Sequence, residues 1–179
     1  MGIRDEEIKR LIQYAKSLGL SVAWKDYKRG DPGATWLQAD NKPVGIEVYV
    51  YKGQPKISII MVLLHELAHH LEFIYNGRKD SPELVEALYM ADAEENLSKA
   101  QRKLIYETEK AACPYREMIA NELSLKIPMY KLKADIDLDI WIYKHYYLTG
   151  KLPTQNEINL EKRLFYTYYK EIYHDKKTS

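Results

Sequence analysis

The sequence predicts an α+β protein, in which a small antiparallel sheet packs on a long apolar helix and the C-terminal half is mostly helical. Three observations favour this class. Apolar residues recur at helical spacing at the N-terminus, short β-branched and aromatic runs occupy residues 20–51, and helical spacing returns after Gly53. A group of strands followed by a group of helices is typical of α+β proteins.

The composition limits the classes of function. The length of 179 residues is sufficient for one full core, so we predict a single domain over residues 1–179. A net charge of +1 gives no broad basic field, and we expect no direct contact with nucleic acid. The longest apolar stretch, Ile57–Leu64, is too short to span a membrane. The one cysteine, Cys113, and the charged N-terminal residues favour a cytoplasmic protein.

Turn-forming residues separate the first elements. Asp5 is predicted to cap an N-terminal helix and Gly19 to end it, around an apolar stripe at helical spacing. The stripe consists of Ile8, Leu11, Ile12, Ala15 and Leu18. Three strand-like runs follow, LSVAW, ATWLQA and VGIEVYVY, and the turn-forming KRGDPG and DNKP separate them. We expect the three runs to pair as the antiparallel sheet.

The stretch GQPKISIIMVLLHELAHHLEFIYNG is the clearest helix of the sequence. Pro55 suits its first turn and Gly77 its C-terminal cap. Amphipathic helices are expected after it, with a start at Ser81 and a kink or restart at Pro114. We assign residues 1–134 to the core of the domain.

Residues 135–179 are predicted as a helical C-terminal extension. One helix ends at Gly150, and the next begins at a capping box formed by Thr154 and Glu157. Aromatic residues are dense in this extension, and their helical spacing favours core packing over a groove for a partner.

Residues 63–73, LLHELAHHLEF, carry the main functional signal. His65 and His69 lie four positions apart, so a helix projects both imidazoles from one face, with Glu66 about a quarter turn away. In this H-E-x-x-H pattern the two imidazoles bind zinc and the glutamate takes the proton of a metal-bound water. The alternative is a core helix without a metal. All three side chains would then need separate polar partners beside an apolar segment, because a buried polar group without a partner is costly. We therefore predict metal binding by the two histidines and place His70, farther around the helix, behind the ligands or at the surface.

Zinc requires a third protein ligand, which must come from farther along the chain. The candidates are Glu107, Glu109, Cys113, Glu117, Glu122, His145 and His174. Glu117 lies at the head of a helical stripe of small and polar residues, so its helix could approach the zinc helix closely. That stripe continues with Ala120, Asn121 and Ser124. Glu107 and Glu109 lie in a charge-rich segment and are expected to be exposed. Because Glu122 pairs with Lys126 on a solvated face and a lone cysteine is more often a core residue, we predict Glu117 as the ligand.

The H-E-x-x-H motif at residues 65–69, together with E-x-x-A-N at residues 117–121, resembles the ImmA/IrrE-type zinc metallopeptidases, a zincin family. The resemblance covers about residues 33–128, including the short strands that precede the zinc helix, and it implies a zincin-type active-site helix. The chain departs from the family at Leu123–Ser124, where the family has phenylalanine and alanine. The gap between the two motifs is also long.

The resemblance implies peptide-bond hydrolysis by a metal-activated water. Zn²⁺ would be held by His65, His69 and Glu117, with Glu66 as the catalytic base. The family includes proteases of phage and mobile elements that cleave a repressor, which implies a peptide or protein substrate and a transcriptional repressor as a candidate partner. An extended peptide could pair with a strand edge within residues 36–51. The alternative is a non-catalytic, zinc-containing binding or regulatory module whose aromatic helices dock a protein partner.

Overall fold

The computed structural model describes residues 3–26, 33–39, 42–50, 54–75, 84, 87 and 96–175. Its helices are α1 (Ile3–Ser17), α2 (Lys56–Tyr75), α3 (Lys99–Glu122), α4 (Met129–Thr149) and α5 (Gln155–Asp175). Its strands are β1 (Ser21–Asp26), β2 (Gly33–Ala39) and β3 (Lys42–Val50). These elements confirm the α+β class and the mostly helical C-terminal half. The predicted helix cap at Gly77 and the predicted helix start at Ser81 lie outside the described residues.

The chain divides into two compact units. The sheet unit consists of Met1–Ile74 and Pro114–Ile127, and the helical unit consists of Tyr75–Cys113 and Pro128–Ser179. Helix α3 continues through Pro114, so this helix begins in the helical unit and ends in the sheet unit. These limits differ from the predicted core and extension, and a single working domain over the whole chain stays a prediction.

The sheet is mixed, and the prediction of a wholly antiparallel sheet is wrong. The strand order is β1-β3-β2, with β3 antiparallel to β2 and parallel to β1. Ala39 and Lys42 are register partners, so a tight connection makes β2 and β3 antiparallel neighbours. Strand β1 then pairs with the other side of β3. The residues of a run predict a strand but not its direction, because direction depends on the connections between strands.

Helices α1 and α2 and strand β3 contribute buried residues to the core of the sheet unit. Helix α1 buries Leu11 and Ala15, which lie one turn apart, and it contacts β1. Strand β3 buries Ile46 and Val48, whose side chains point to the same side of the sheet. Helix α2 buries the largest set, Ile60, Leu63, Leu64, Leu67, Ala68 and Leu71. Helix α2 is therefore the main core helix of this unit.

Among the described residues, α2 is also long and apolar enough, by length and composition, to cross a membrane. Half of its most apolar window is buried inside the protein. The short apolar run in the sequence therefore does not exclude a membrane span by itself, and a cytoplasmic location stays a prediction.

Two helices of the sheet unit end in the same hydrogen-bonded turn. At the end of α1, Gly19 has a φ of 81° and the Leu20 N–H donates to the Ala15 carbonyl at 2.9 Å, which confirms the predicted helix end. At the end of α3, Ser124 takes the equivalent position with a φ of 47°. The next N–H donates to the Ala120 carbonyl at 2.9 Å. Serine is strained in this left-handed conformation because of its Cβ, whereas glycine adopts it freely.

Replacing Ser124 by Gly is expected to stabilise the protein by about 0.5–1 kcal/mol, because the left-handed strain is removed. The reverse change, Gly19→Ala, should destabilise it by about 1 kcal/mol. A Cβ at Gly19 meets no atom within 4 Å, so this cost reports on the backbone alone. The midpoint of urea unfolding measures both effects. A Ser124→Gly midpoint equal to that of the parent would contradict strain at the end of α3.

Helix α4 is the central helix of the helical unit, because it is buried on two opposite sides. The two sides carry the pairs Leu132 with Ile136 and Ala134 with Leu138. Asp137, next to Leu138, accepts a hydrogen bond of 2.5 Å from the Tyr169 hydroxyl of α5, so α5 covers the second side. Burial and this hydrogen bond raise the pKa of Tyr169 above its ordinary value.

Several aromatic residues of the helical unit are half-buried and pack against other side chains, which agrees only in part with the core packing that their spacing predicts. Tyr143 and Tyr146 pack against the buried residues Ala87, Leu97 and Ile105. Tyr130 and Tyr166 form an edge-to-face pair with ring centroids 6.4 Å apart, and burial raises the pKa of Tyr166 to about 12. These four tyrosines are half-buried, so each packs part of its ring inside the helical unit and leaves part exposed.

The predicted ends of the last two helices are confirmed. Gly150 follows α4 with a φ of 76°, and its N–H donates to the Tyr146 carbonyl at 2.9 Å. Thr154 and Glu157 form the capping box: the Thr154 N–H donates to Glu157 Oε2 at 2.7 Å, and the Glu157 N–H donates to Thr154 Oγ1 at 3.3 Å. Hydrogen bonds from Thr154 also lower the pKa of the Glu157 carboxyl.

Candidate metal centre

The H-E-x-x-H residues lie on α2, and the buried side of this helix fixes their positions. His65 and His69 are half-buried, while Glu66 is buried, with 8% of its surface exposed. Fully buried apolar residues alternate with them along the helix, namely Leu64, Leu67 and Ala68. The core therefore anchors the backbone, and the two imidazoles reach the edge of the core, where solvent has access.

The imidazoles of His65 and His69 converge. Their Nε2 atoms are 3.2 Å apart, and their rings meet at 72° with centroids 4.7 Å apart. Zinc binds imidazole nitrogens at about 2.0–2.1 Å in tetrahedral geometry, which sets two such nitrogens about 3.3–3.4 Å apart. The observed separation agrees with this value to within about 0.2 Å, the tolerance for a metal site. One ring nitrogen from each histidine could therefore hold the same ion.

The same separation also fits a hydrogen bond between the two rings. That bond requires a proton on Nε2 of one ring, whereas a shared ion requires the Nε2 lone pairs of both rings and places both protons on Nδ1. The two arrangements therefore differ in the tautomer of one histidine.

His70 and Glu66 lie on the same buried side of α2, with Glu66 one turn before His70. Only 6% of His70 is exposed, so the surface position considered for it is wrong. Burial lowers the pKa of His70, and this effect exceeds that of a hydrogen bond with the backbone of Leu18, which raises the pKa. The imidazole is thus neutral at pH 7. The α2 sequence alone carries no signal for this position, because it depends on the distant turn that contains Leu18.

Glu117 belongs to the sheet unit, as the two histidines do. It is half-buried, and its neighbours on α3 are buried in the core of that unit, namely Arg116, Ile119 and Ala120. The predicted stripe of small residues is buried only in part. Asn121 and Ser124 are exposed, and Ser124 lies beyond the end of α3. The role of Glu117 as the third ligand stays a prediction.

Two of the other acidic candidates are exposed, as expected. They are Glu107 and Glu122. Glu122 accepts a hydrogen bond of 3.1 Å from the Tyr14 hydroxyl, a contact with a residue far away in the sequence. Neither carboxylate is therefore a strong candidate for a ligand.

Glu109 is the competing carboxylate on α3. It is half-buried, so the prediction that it is exposed is wrong, and it lies two turns before Glu117 and about a quarter turn around the helix from it. Cys113, between them, is buried, and its thiol donates to the Glu109 carbonyl at 3.2 Å, as expected for a small core residue. Of the two remaining histidines, His145 contacts the Trp141 ring, and the side chain of His174 lies outside the described part of the chain.

No protein-family model, curated protein or solved structure matches the chain. The likeness to the ImmA/IrrE-type metallopeptidases therefore rests on two short motifs, and membership in that family stays a prediction. The function has to follow from the side chains of the sheet unit.

Proposed function

We propose that the protein is a cytoplasmic, zinc-dependent metallopeptidase that hydrolyses peptide bonds with a metal-activated water. The observation that carries this proposal is the 3.2 Å separation of the Nε2 atoms of His65 and His69, with the Glu66 carboxylate on the same helical turn. The same separation fits a hydrogen bond between the two rings, so the presence of Glu66 on that turn is what favours a catalytic metal site. The buried carboxylate beside them supplies the base that hydrolysis requires.

The proposed ligands are His65, His69 and Glu117, which all belong to the sheet unit. Three protein ligands leave one position of a tetrahedral ion for water. When bound, zinc lowers the pKa of that water toward about 7 and polarises the scissile carbonyl. Glu66 takes the proton of the water during attack and returns it to the leaving amine. Because Glu66 shares a helical turn with two ligands, a rigid helix rather than a loop sets its position.

The proposed substrate is an extended peptide. Strand β3, within the region considered for peptide binding, is paired on both sides, so the free edges among the described strands belong to β1 and β2. A peptide that pairs with a free edge gains main-chain hydrogen bonds independent of its sequence. Trp24 of β1 is 44% exposed and could contact a substrate side chain. A transcriptional repressor as the physiological substrate follows from the resemblance alone.

Zinc content tests the ligand set. Elemental analysis should find about one zinc per chain in the parent, and His65→Ala or Glu117→Ala should lower it to about a tenth or less after the same dialysis. Glu107→Ala is the matched control, because it removes an exposed carboxylate from α3 and should keep the zinc. Zinc loss in Glu109→Ala but not in Glu117→Ala would transfer the third-ligand role to Glu109. Full zinc content in His65→Ala would end the metal proposal.

Cleavage is tested with a library of quenched fluorescent peptides. The parent should cleave members of the library, a chelator should stop the cleavage, and added zinc should restore it. Cleavage that continues in the presence of a chelator at full rate would contradict a metal-dependent mechanism.

One observation favours the non-catalytic alternative. Helix α5 carries an exposed apolar stripe with residues one turn apart, Leu160, Leu164 and Tyr168, which are 53%, 54% and 58% exposed. Exposed apolar surface of this kind is typical of sites that dock a partner. In this alternative zinc stabilises the fold and Glu66 has no chemical role. A parent that binds zinc through the two histidines but cleaves no peptide in the library would favour it.

A further inference from the structure

Pro114 weakens the support that the first part of α3 gives to the part that carries Glu117. Pro114 lies inside α3 and has no N–H, so the helical hydrogen bond to the Lys110 carbonyl is missing just before Glu117. A proline inside a helix also allows the helix to bend at that point. The orientation of the segment after Pro114 therefore depends on contacts within the sheet unit.

Helix α1 supplies such contacts at the end of α3. Arg10 Nη1 donates to the carbonyls of Leu123 at 3.2 Å and Ser124 at 3.4 Å. One turn later on α1, the Tyr14 hydroxyl donates to Glu122 Oε2 at 3.1 Å. The guanidinium charge also lies at the negative end of the α3 dipole, which favours a cation. Because the buried face of α1 is part of the core, these donors are attached to a fixed support.

We propose that Arg10 is a positioning residue for the metal site, because it holds the last carbonyls of α3 and thereby fixes the place of Glu117. This inference rests on the proposed function. Glu117 and the residues at the end of α3 lie on the same helical segment after Pro114, so a shift of that end would also move Glu117. A binding constellation tolerates about 0.5 Å. Loss of Arg10 should therefore weaken the site without removing it.

Zinc affinity, measured in competition with a chromophoric chelator, tests this role. Arg10→Ala should weaken zinc binding by about three- to tenfold. This loss is no larger than the smallest loss of metal affinity, about tenfold, that follows removal of a group in direct contact with a metal-ligating residue. Arg10→Lys, which keeps the charge and a donor, should recover part of the affinity. In the Co²⁺-loaded protein, Arg10→Ala should also change the visible absorption spectrum. The control is Lys9→Ala, because Lys9 is exposed, adjacent, and paired with Glu6 of the same helix at 3.4 Å.

A second background separates positioning from a general loss of stability. In Glu117→Ala, where the carboxylate is absent, Arg10→Ala should change zinc affinity by no more than about twofold. Equal weakening in both backgrounds, or none in the parent, would overturn the positioning role and leave zinc binding by His65 and His69 intact. A parent that binds no zinc would overturn the proposed function and this role with it.

Discussion

Replacement of Glu66 by Gln is expected to lower peptide hydrolysis by a factor of about 10²–10⁴, while the zinc content stays that of the parent. Glutamine has the size of glutamate and can hold a water by a hydrogen bond, but it cannot take the proton of that water. Glu66 is not one of the three proposed ligands, so the ion keeps its protein donors. Steady-state kinetics should therefore show the loss in kcat, with a small change in KM.

The matched control for this substitution is Glu72→Gln. Glu72 lies on the same helix and is buried to a similar degree, with 5% of its surface exposed against 8% for Glu66. Because Glu72 lies outside the motif, hydrolysis by this variant should stay within about twofold of the parent. An equal loss in both variants would point to the removal of a buried charge rather than of a base. Cleavage by Glu66→Gln at the parental rate would disprove the peptidase mechanism.

The largest effect on folding is expected for Leu67→Ala, which should destabilise the protein by about 2–5 kcal/mol. Leu67 is 0% exposed and lies on the core side of α2, between the two proposed histidine ligands. Its truncation removes buried apolar surface and leaves a cavity, and both effects lower the free energy of unfolding. Urea titration of the zinc-free protein measures this free energy without a contribution from the metal.

Ile74→Ala provides the comparison for Leu67→Ala. Ile74 lies on the same helix but is 47% exposed, so its truncation should change the free energy of unfolding by about 0.5 kcal/mol or less. If the two substitutions had equal effects, α2 would not be the core helix of the sheet unit. Its apolar length would then need another explanation, such as insertion into a membrane.

The spacing of residues in the sequence correctly predicts features that involve only one or two turns of helix. Gly19 and Gly150 end helices because each adopts a left-handed conformation, and the box that begins at Thr154 needs only four consecutive residues. The convergence of His65 and His69 likewise needs only one helical turn. The sequence is therefore informative about where helices end and about which side chains meet on α2.

Features that depend on distant residues are not predictable from spacing. The direction of β1 depends on how it is connected to the other strands, and the buried His70 has a hydrogen bond with the backbone of Leu18, which is distant in the sequence. Ser124 does not continue the stripe of α3, because the helix ends at Glu122 and Ser124 takes the left-handed position that glycine usually occupies. Serine gives no sequence signal for such an end. The third ligand has the same difficulty, because the sequence does not show which part of α3, the one with Glu109 or the one with Glu117, lies near the two histidines.

Residues 134–142 of α4, ADIDLDIWI, show apolar side chains at every second position, which is the pattern of a strand. They form a helix because positions two apart face opposite directions on a helix, and both directions are covered. Without α5, one of these covers would be lost, and exposed segments with strand-like alternation are prone to aggregate. Any shortened form of the chain that is meant to stay monodisperse should therefore retain α5 as far as Asp175.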